Sequence, residues 1–256
     1  MNTTTLTTLF IGQSILKLKD VESTNDYLYN LLTNVKPLVD GTVILAENQF
    51  GGKGQHGSAW ITEPGKNLTF SLFLNTLFLK ANQQFYLNMA ISLGVVDFIS
   101  HYIKKSVSIK WPNDLYVNDK KIGGILIENI LSGNYLKNSI IGIGINVNQL
   151  EFDNSTKNPT SLAIETGLQF NLDQLLNELL SNIEANYLFL KSLKFENLKI
   201  QYLEHLLGYN IERKFLKAGV EIKGTITDVT QEGFLEINNT DGVAEKYDIK
   251  QIAFII

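Results

Sequence analysis

The sequence has no cysteine, which excludes a disulfide framework, a thiolate zinc site, an iron–sulfur cluster and a cysteine nucleophile. Its 3 histidines, His56, His101 and His205, lie far apart along the chain and do not make a His-rich metal site. Arginine is almost missing: of 22 basic residues only Arg213 is one. The planar fork that anion sites usually favour is therefore nearly unused. With 26 acidic residues the net charge is -4, which argues against a protein whose main task is to coat nucleic acid. No apolar run reaches the ~20 residues of a membrane helix, and the longer ones, such as Leu72 to Leu79, are broken by polar residues. Met1 to Phe10 is Thr-rich with no basic stretch, so no signal peptide is read there, and the chain is expected in the cytoplasm.

What is present is a chain of 256 residues, 44% apolar, long enough for one sizeable core and an appendage. Alternation predicts strands over Ile15 to Asp20, Thr42 to Ala46, Leu68 to Leu74, Val107 to Trp111, Leu115 to Val117, Ile122 to Ile130 and Leu136 to Val147. Helical spacing marks Tyr27 to Leu32, Gln83 to Ile103, Leu172 to Tyr187 and Phe195 to Leu206. Ser23-Thr24-Asn25-Asp26 offers N-cap chemistry for the first of these helices. Helices mixed with hairpin-linked strands give an α+β pattern over 1–207. From about Gly208 the texture changes to short alternating strands, Val220 to Val229, Phe234 to Ile237, Val243 to Ile249 and Ile252 to Ile256. This predicts a second, small β-barrel unit over 208–256.

Four segments carry candidate chemistry. Gly52, Gly54 and Gly57 match G-x-G-x-x-G, but the dinucleotide reading needs a helix directly afterwards. Pro64 and Gly65 would break such a helix. What survives is a loop around Lys53, Gln55 and His56 whose backbone N–H groups can approach an anion, or else a solvent-exposed linker. Lys110-Trp111-Pro112-Asn113-Asp114 places a cation, an amide and a carboxylate within five residues, which suits a nucleotide phosphate with Mg²⁺. It also reads as a polar β-turn. Lys121 enters an apolar strand through Gly123-Gly124, an arrangement that serves either a ligand's close approach or edge protection. Gly142-Ile143-Gly144-Ile145-Asn146 alternates small residues that leave room for a flat ligand, or for barrel-like packing.

Taken together, Ser23-Thr24-Asn25, Gln49 through Gly57 with Trp60, the Lys110-to-Asp114 block, Lys121 with Gly-Gly-Ile-Leu, and Gly142 through Asn148 resemble the biotin–protein ligase family, over about Val21 to Ser161. Asn158-Pro159-Thr160-Ser161 also fits, and the tail looks like that family's SH3-like C-terminal domain. The resemblance implies a catalytic domain of the class II aminoacyl-tRNA synthetase and biotin ligase type. Its sheet would be mixed or antiparallel, with flanking helices. It implies an enzyme that activates biotin with MgATP as biotinyl-5′-AMP and transfers it to one lysine of a biotin carboxyl carrier domain. By resemblance, Lys121 is catalytic and Lys53 assists it. Ser23, Thr24, Asn25, Gln49, Gly52, Lys53, Gly54, Gln55, Lys121, Gly123 and Gly124 would hold biotin. Gly54, Gln55, His56, Gly57, Trp60, Lys110, Asn113, Asp114 and Asn146 would hold ATP, with Asp114 toward Mg²⁺. Trp60 reads as a pocket wall or as a core aromatic.

Two departures from the family pattern stand out. Its glycine loop usually carries three arginines, where this chain has Lys53, Gln55 and His56, so faster escape of the adenylate is expected. Some relatives carry an N-terminal DNA-binding domain. Here the first strand starts by about Ile15, so a monofunctional ligase without operator binding is expected. The resemblance leaves oligomeric state open, since the family includes monomers and dimers built by sheet extension, and an exposed edge strand would serve either a homodimer or the carrier domain. The alternatives are a lipoate–protein ligase-like enzyme and a catalytically weak biotin-binding module.

Overall fold

The computed structural model describes residues 8–34, 37–153 and 158–255, and of His56 the backbone only. Most of the Met1 to Phe10 segment and the His56 side chain thus lie outside the described residues. Seven strands form one sheet: β1 (Ile15–Val21), β2 (Val43–Gln49), β3 (Leu68–Asn75), β4 (Val107–Lys110), β5 (Asp114–Val117), β6 (Lys120–Ser132) and β7 (Tyr135–Ile145). Their order is β1-β2-β3-β7-β6-β5-β4. Only β1 and β2 run parallel, which makes the sheet mixed as expected. The parallel step requires a crossover, and α1 (Thr24–Asn34) supplies it.

The sheet's two faces are covered unequally. On one face α2 (Gln84–Tyr102) lies buried nearly all round, which its almost unbroken apolar sequence permits. It packs against α4 (Leu172–Lys191) and α5 (Phe195–Glu204). Gly94 lets α2 and α4 meet backbone to backbone, since a Cβ there would stand 2.8 Å from the Ile183 Cα. The buried Glu184 of α4 accepts the N–H groups of Leu9, Phe10 and Ile11 at 2.6, 2.9 and 2.8 Å, tying that segment to the core. The other face holds α1 over a small cluster of Leu28, Ile44, Phe73 and Ile140. The rest of that face stays open and forms the floor of a cavity.

A second sheet is built from β8 (Glu212–Lys217), β9 (Val220–Val229), β10 (Leu235–Asn239), β11 (Ala244–Tyr247) and β12 (Ile252–Phe254). Its order is β11-β10-β9-β8-β12. The expected barrel is therefore an open antiparallel sheet: among the described residues β11 and β12 are its two edges and do not pair. Sequence reading also missed β8, because five of its six residues are charged or half-exposed and only Phe215 is buried. It missed the one-turn α3 (Leu162–Thr166), capped by Ser161, for want of length. The small sheet docks on the larger unit through Trp111, whose Nε1 donates to Gly233 O at 3.0 Å, and through Phe85 N–H to Gln231 O at 3.2 Å.

Candidate active site

Strand register assembles the site. Lys110 stands opposite Asp114, Asp114 opposite Gly124, Gly124 opposite Gly144 and Gly144 opposite Thr69. Segments far apart in sequence thus form one cross-strand row on the open face. Four strand spacings make it roughly 19 Å long. The row is charged at the Lys110–Asp114 end, flat over two glycines, and polar at Thr69. A cavity of about 660 Å³ lies above it.

At the charged end, Lys121 Nζ pairs with Asp114 Oδ1 at 2.6 Å. The Lys121 backbone is clamped by 158–160: its N–H donates to Asn158 O and its carbonyl accepts from Thr160 N–H, both at 2.8 Å. The Lys110 ammonium lies 5.7 Å from the Tyr116 ring centre and 5.6 Å from that of Phe254 on β12, a cation held between two aromatic faces. Burial, then the Asp114 carboxylate, push the Tyr116 phenol up to about 12, so it stays neutral. Asn113 is buried and laces β6: its Nδ2 donates to Ile125 O, and its own carbonyl accepts from Ile125 N–H. The Trp111–Pro112 bond that turns the chain into this corner is cis.

The opposite end is a chain of hydrogen bonds. Gln49 Oε1 accepts from Thr24 N–H at 2.9 Å and from Thr24 Oγ1 at 3.1 Å. Ser71 Oγ reaches Thr24 Oγ1 at 2.7 Å and Asn25 Oδ1 at 2.5 Å. Asn25 Nδ2 donates to Glu128 Oε2 at 2.6 Å. With its oxygen engaged, Gln49 turns its Nε2 toward Gly52, where a Cβ would stand 2.6 Å from it. Ser23 caps α1, its Oγ accepting from Asp26 N–H at 3.3 Å.

The glycine loop is folded rather than a loose linker. Lys53 bridges Ala59, Gly54 N–H donates to Ser58 O at 2.6 Å, and a single 3₁₀ turn spans Gln55–Gly57. Lys53 Nζ pairs with Asp26 Oδ2 at 2.6 Å, and that bond raises the lysine's pKa. Trp60 lies on β7, where a Cβ on Gly144 would be 2.3 Å from its indole. Asn25 fills the same space over Gly142, at 2.6 Å. The alternating glycines therefore seat protein side chains as well as keeping the floor low.

Most of the expected residues line the cavity: Ser23, Thr24, Asn25 and Gln49, then Lys53, Gly54, Gln55 and Trp60, then Lys110, Asn113, Asp114, Lys121 and Gly124. Gly52, Gly57, Gly123 and Asn146 do not. Gly123 points to the other face, where a Cβ would collide with Ile145 and with Gly144 O, both at 2.7 Å. Gly57 takes φ +84° at the loop tip with open space beside it. Asn146 is buried and donates to Thr160 O at 3.0 Å, holding the strap that clamps Lys121. Residues that sequence reading missed are Thr69, Ser71, Glu128 and Phe254. The alternation in Leu68 to Leu74 put Thr69 and Ser71 on one face, a signal that could have found them. Among the described residues no group of three or more His, Cys, Asp or Glu side chains that could hold a metal ion occurs.

The same architecture recurs in known proteins. The structure of a biotin protein ligase from Aquifex aeolicus in complex with biotin and ATP superposes with a TM-score of 0.76 at 27% identity, covering 94% of this chain and 98% of that one. The bifunctional ligase/repressor BirA of Bacillus spizizenii is 28% identical over 246 residues, 94% of this chain and 74% of its own length. The biotin–[acetyl-CoA-carboxylase] ligase of Mycobacterium tuberculosis is 29% identical over 114 residues, 43% of this chain and 41% of its own. Residues 18–146, half of the sequence, match the biotin/lipoate A/B protein ligase family, and the chain belongs to that family.

Proposed function

We propose that this chain is an ATP-dependent biotin–protein ligase. It joins biotin to ATP as biotinyl-5′-AMP and passes the biotinyl group to a lysine of a biotin carboxyl carrier domain. The observation that carries this reading is the cross-strand row, with a Lys110–Asp114–Lys121 corner at one end of a glycine floor and an amide–hydroxyl chain beside the other. The ring end suits biotin's ureido group, which needs donors and acceptors together. The charged end suits the meeting of two anions, a carboxylate and the α-phosphate.

In the first step a carboxylate oxygen of biotin attacks the α-phosphorus, and pyrophosphate leaves with the electron pair of the broken P–O bond. Lys121 stabilises the charge that develops on the phosphoryl oxygens, from a position its clamped backbone fixes beforehand. Lys110 screens the nucleotide's phosphates. Mg²⁺ enters with ATP, and Asp114 is the carboxylate at that corner. In the second step the carrier lysine's neutral amine attacks the acyl carbon, and AMP leaves. Biotin contacts are assigned to Ser23, Thr24, Asn25, Gln49, Lys53, Gly54, Gln55, Lys121 and Gly124. Nucleotide contacts are assigned to Lys110, Asn113 and Asp114, and Trp60, whose ring lies over Gly144 and 5.8 Å from Lys121 Nζ, is assigned to the border between the two substrates.

The proposal divides the chain into a substrate-binding unit, 1–207, and a smaller unit, 208–256, whose Phe254 closes the nucleotide end. The outer edge of β1, which pairs with no further strand among the described residues, is the surface assigned to sheet extension, by a second copy or by the carrier domain. No described helix is long and apolar enough to cross a membrane. The reading assigns the chain to the cytoplasm. Incubation with biotin, MgATP and a carrier domain, read as a mass shift on the carrier lysine, tests the function. A shift with lipoate in place of biotin, or no shift with either, rejects it.

A further inference from the structure

One member of the cross-strand row has no task in the chemistry above. Thr69 stands opposite Gly144, shares its face with Ser71 and is 5% exposed. Its Oγ1 is buried without a hydrogen-bond partner, and so is the Nε1 of Trp60, whose indole edge lies over Gly144. Buried polar atoms nearly always find partners, and one left alone needs a reason. Two other described side-chain atoms share this condition, Tyr202 OH and Arg213 Nε, and neither residue lines the cavity. The two that do line it are neighbours on one strip of floor.

Their chemistry narrows the ligand atom. An indole N–H only donates, and a hydroxyl beside it can donate too, so the strip is built for an acceptor. Position narrows it further. Thr69 is the end of the row remote from Lys110 and Asp114. It is two residues along β3 from Ser71, which belongs to the amide–hydroxyl chain. The acceptor therefore belongs to the acid's ring system and not to the nucleotide.

We propose that Thr69 is a specificity-determining residue of the acid subsite: its hydroxyl donates to an acceptor atom in the ring system of bound biotin, with Trp60 Nε1 as a second donor beside it. The inference rests on the reading of this site as a biotin subsite. Both atoms are covered in the structure, so the acid meets them when the indole edge lifts from Gly144. A ring-on-glycine contact is then exchanged for hydrogen bonds.

The test is calorimetric titration of the full chain with biotin and, separately, with ATP, alongside thermal melting of the free protein. Thr69→Val keeps the shape and removes the hydroxyl. It is expected to weaken biotin about five- to tenfold and to leave ATP affinity unchanged. It should raise the melting temperature by roughly 2–4 °C, because a buried unpartnered group has gone. Thr69→Ser should restore biotin affinity. A purely structural threonine would move both readouts the same way; a ligand-directed one moves them oppositely. Desthiobiotin, which lacks the ring sulfur, locates the acceptor. If Thr69→Val weakens it equally, the acceptor is the ureido oxygen, and if not at all, the sulfur. Unchanged biotin affinity in Thr69→Val, or a loss confined to ATP, overturns the proposal. If the wild type itself fails to bind biotin, the biotin reading falls and this inference with it. Binding by the wild type with an indifferent variant sinks this inference alone.

Discussion

Two lysine–aspartate pairs flank the cavity at the same 2.6 Å, Lys121–Asp114 and Lys53–Asp26, and they do different work. The first sits on neighbouring strands, its side chains 27% and 22% exposed. Its lysine backbone is fixed by β5 on one side and by the 158–160 strap on the other. The second joins a glycine loop to the first turn of α1, its side chains 54% and 43% exposed. A short distance therefore does not set what a pair is worth. An exposed pair contributes about 0–1 kcal/mol, because solvent screens it and two free side chains must be ordered. The sheet-held pair starts from an ordered backbone and lies where solvent screens less, so its charges remain aimed when the substrates arrive.

Removing the sheet-held lysine tests this contrast most severely. Lys121→Ala is expected to slow adenylate formation about 10²–10³-fold, the range for losing one preorganised stabiliser of developing charge. The melting temperature should stay near that of the wild type, because the strap binds Lys121 through backbone groups that alanine keeps. Pyrophosphate release in a single turnover measures the step. A variant that adenylates within threefold of wild type would leave the two lysines indistinguishable.

How much of this was legible in the sequence follows from how the contacts are made. Lys110 to Asp114 and Gly123-Gly124 could be read because chemistry and backbone demand sit side by side in the chain. Alternation marks Thr69 and Ser71 as sharing a face, but which face lines the cavity, and what Glu128 reaches, depends on strand register, and a shift of one residue would have sent them to the opposite side. Asn146 sits in a segment that resembles a nucleotide contact, and only the fold shows that its Nδ2 also donates to Thr160 O. The open edge between β11 and β12 was hidden for the same reason. Alternation identifies strands but does not say whether the outer two meet. The class and nearly every long element followed from periodicity, while the partner of each side chain did not.

Glu128 gives the next largest expected effect and sharpens the contrast from the ring end. Its carboxylate accepts from Asn25 Nδ2, which leaves Asn25 Oδ1 to accept from Ser71. Glu128→Ala frees the Asn25 amide to turn. It is expected to raise the KM for biotin about tenfold with little change in kcat or in the KM for ATP. Glu128→Gln, which keeps an acceptor oxygen, should retain most of the affinity. In an Asn25→Ala background the Glu128→Ala change should add nothing, since the two act as one unit. Multiplying effects in the double variant would mean that Glu128 acts elsewhere, for instance on the Lys53 charge it also faces.

The loop-held pair gives the smallest effect, and the physics sets its sign. On the proposed function the adenylate is retained by whatever closes over it, and Lys53 is the lysine of the glycine loop. In the structure that cation is bound to Asp26, so retention must compete with the pair. The competition is weak, because the pair is exposed on both sides and contributes at most about 1 kcal/mol. Lys53→Ala should therefore shorten the lifetime of bound biotinyl-5′-AMP, and Asp26→Asn, which frees the lysine, should lengthen it, each by about two- to fivefold. Both shifts should shrink at high ionic strength, unlike the effect of Lys121→Ala, which depends on a less exposed charge. A chase of preformed adenylate at low and high salt reads all of this. Equal lifetimes in the two variants and the wild type would mean that backbone N–H groups alone hold the intermediate. Lys53 would then be a surface lysine that happens to have a partner.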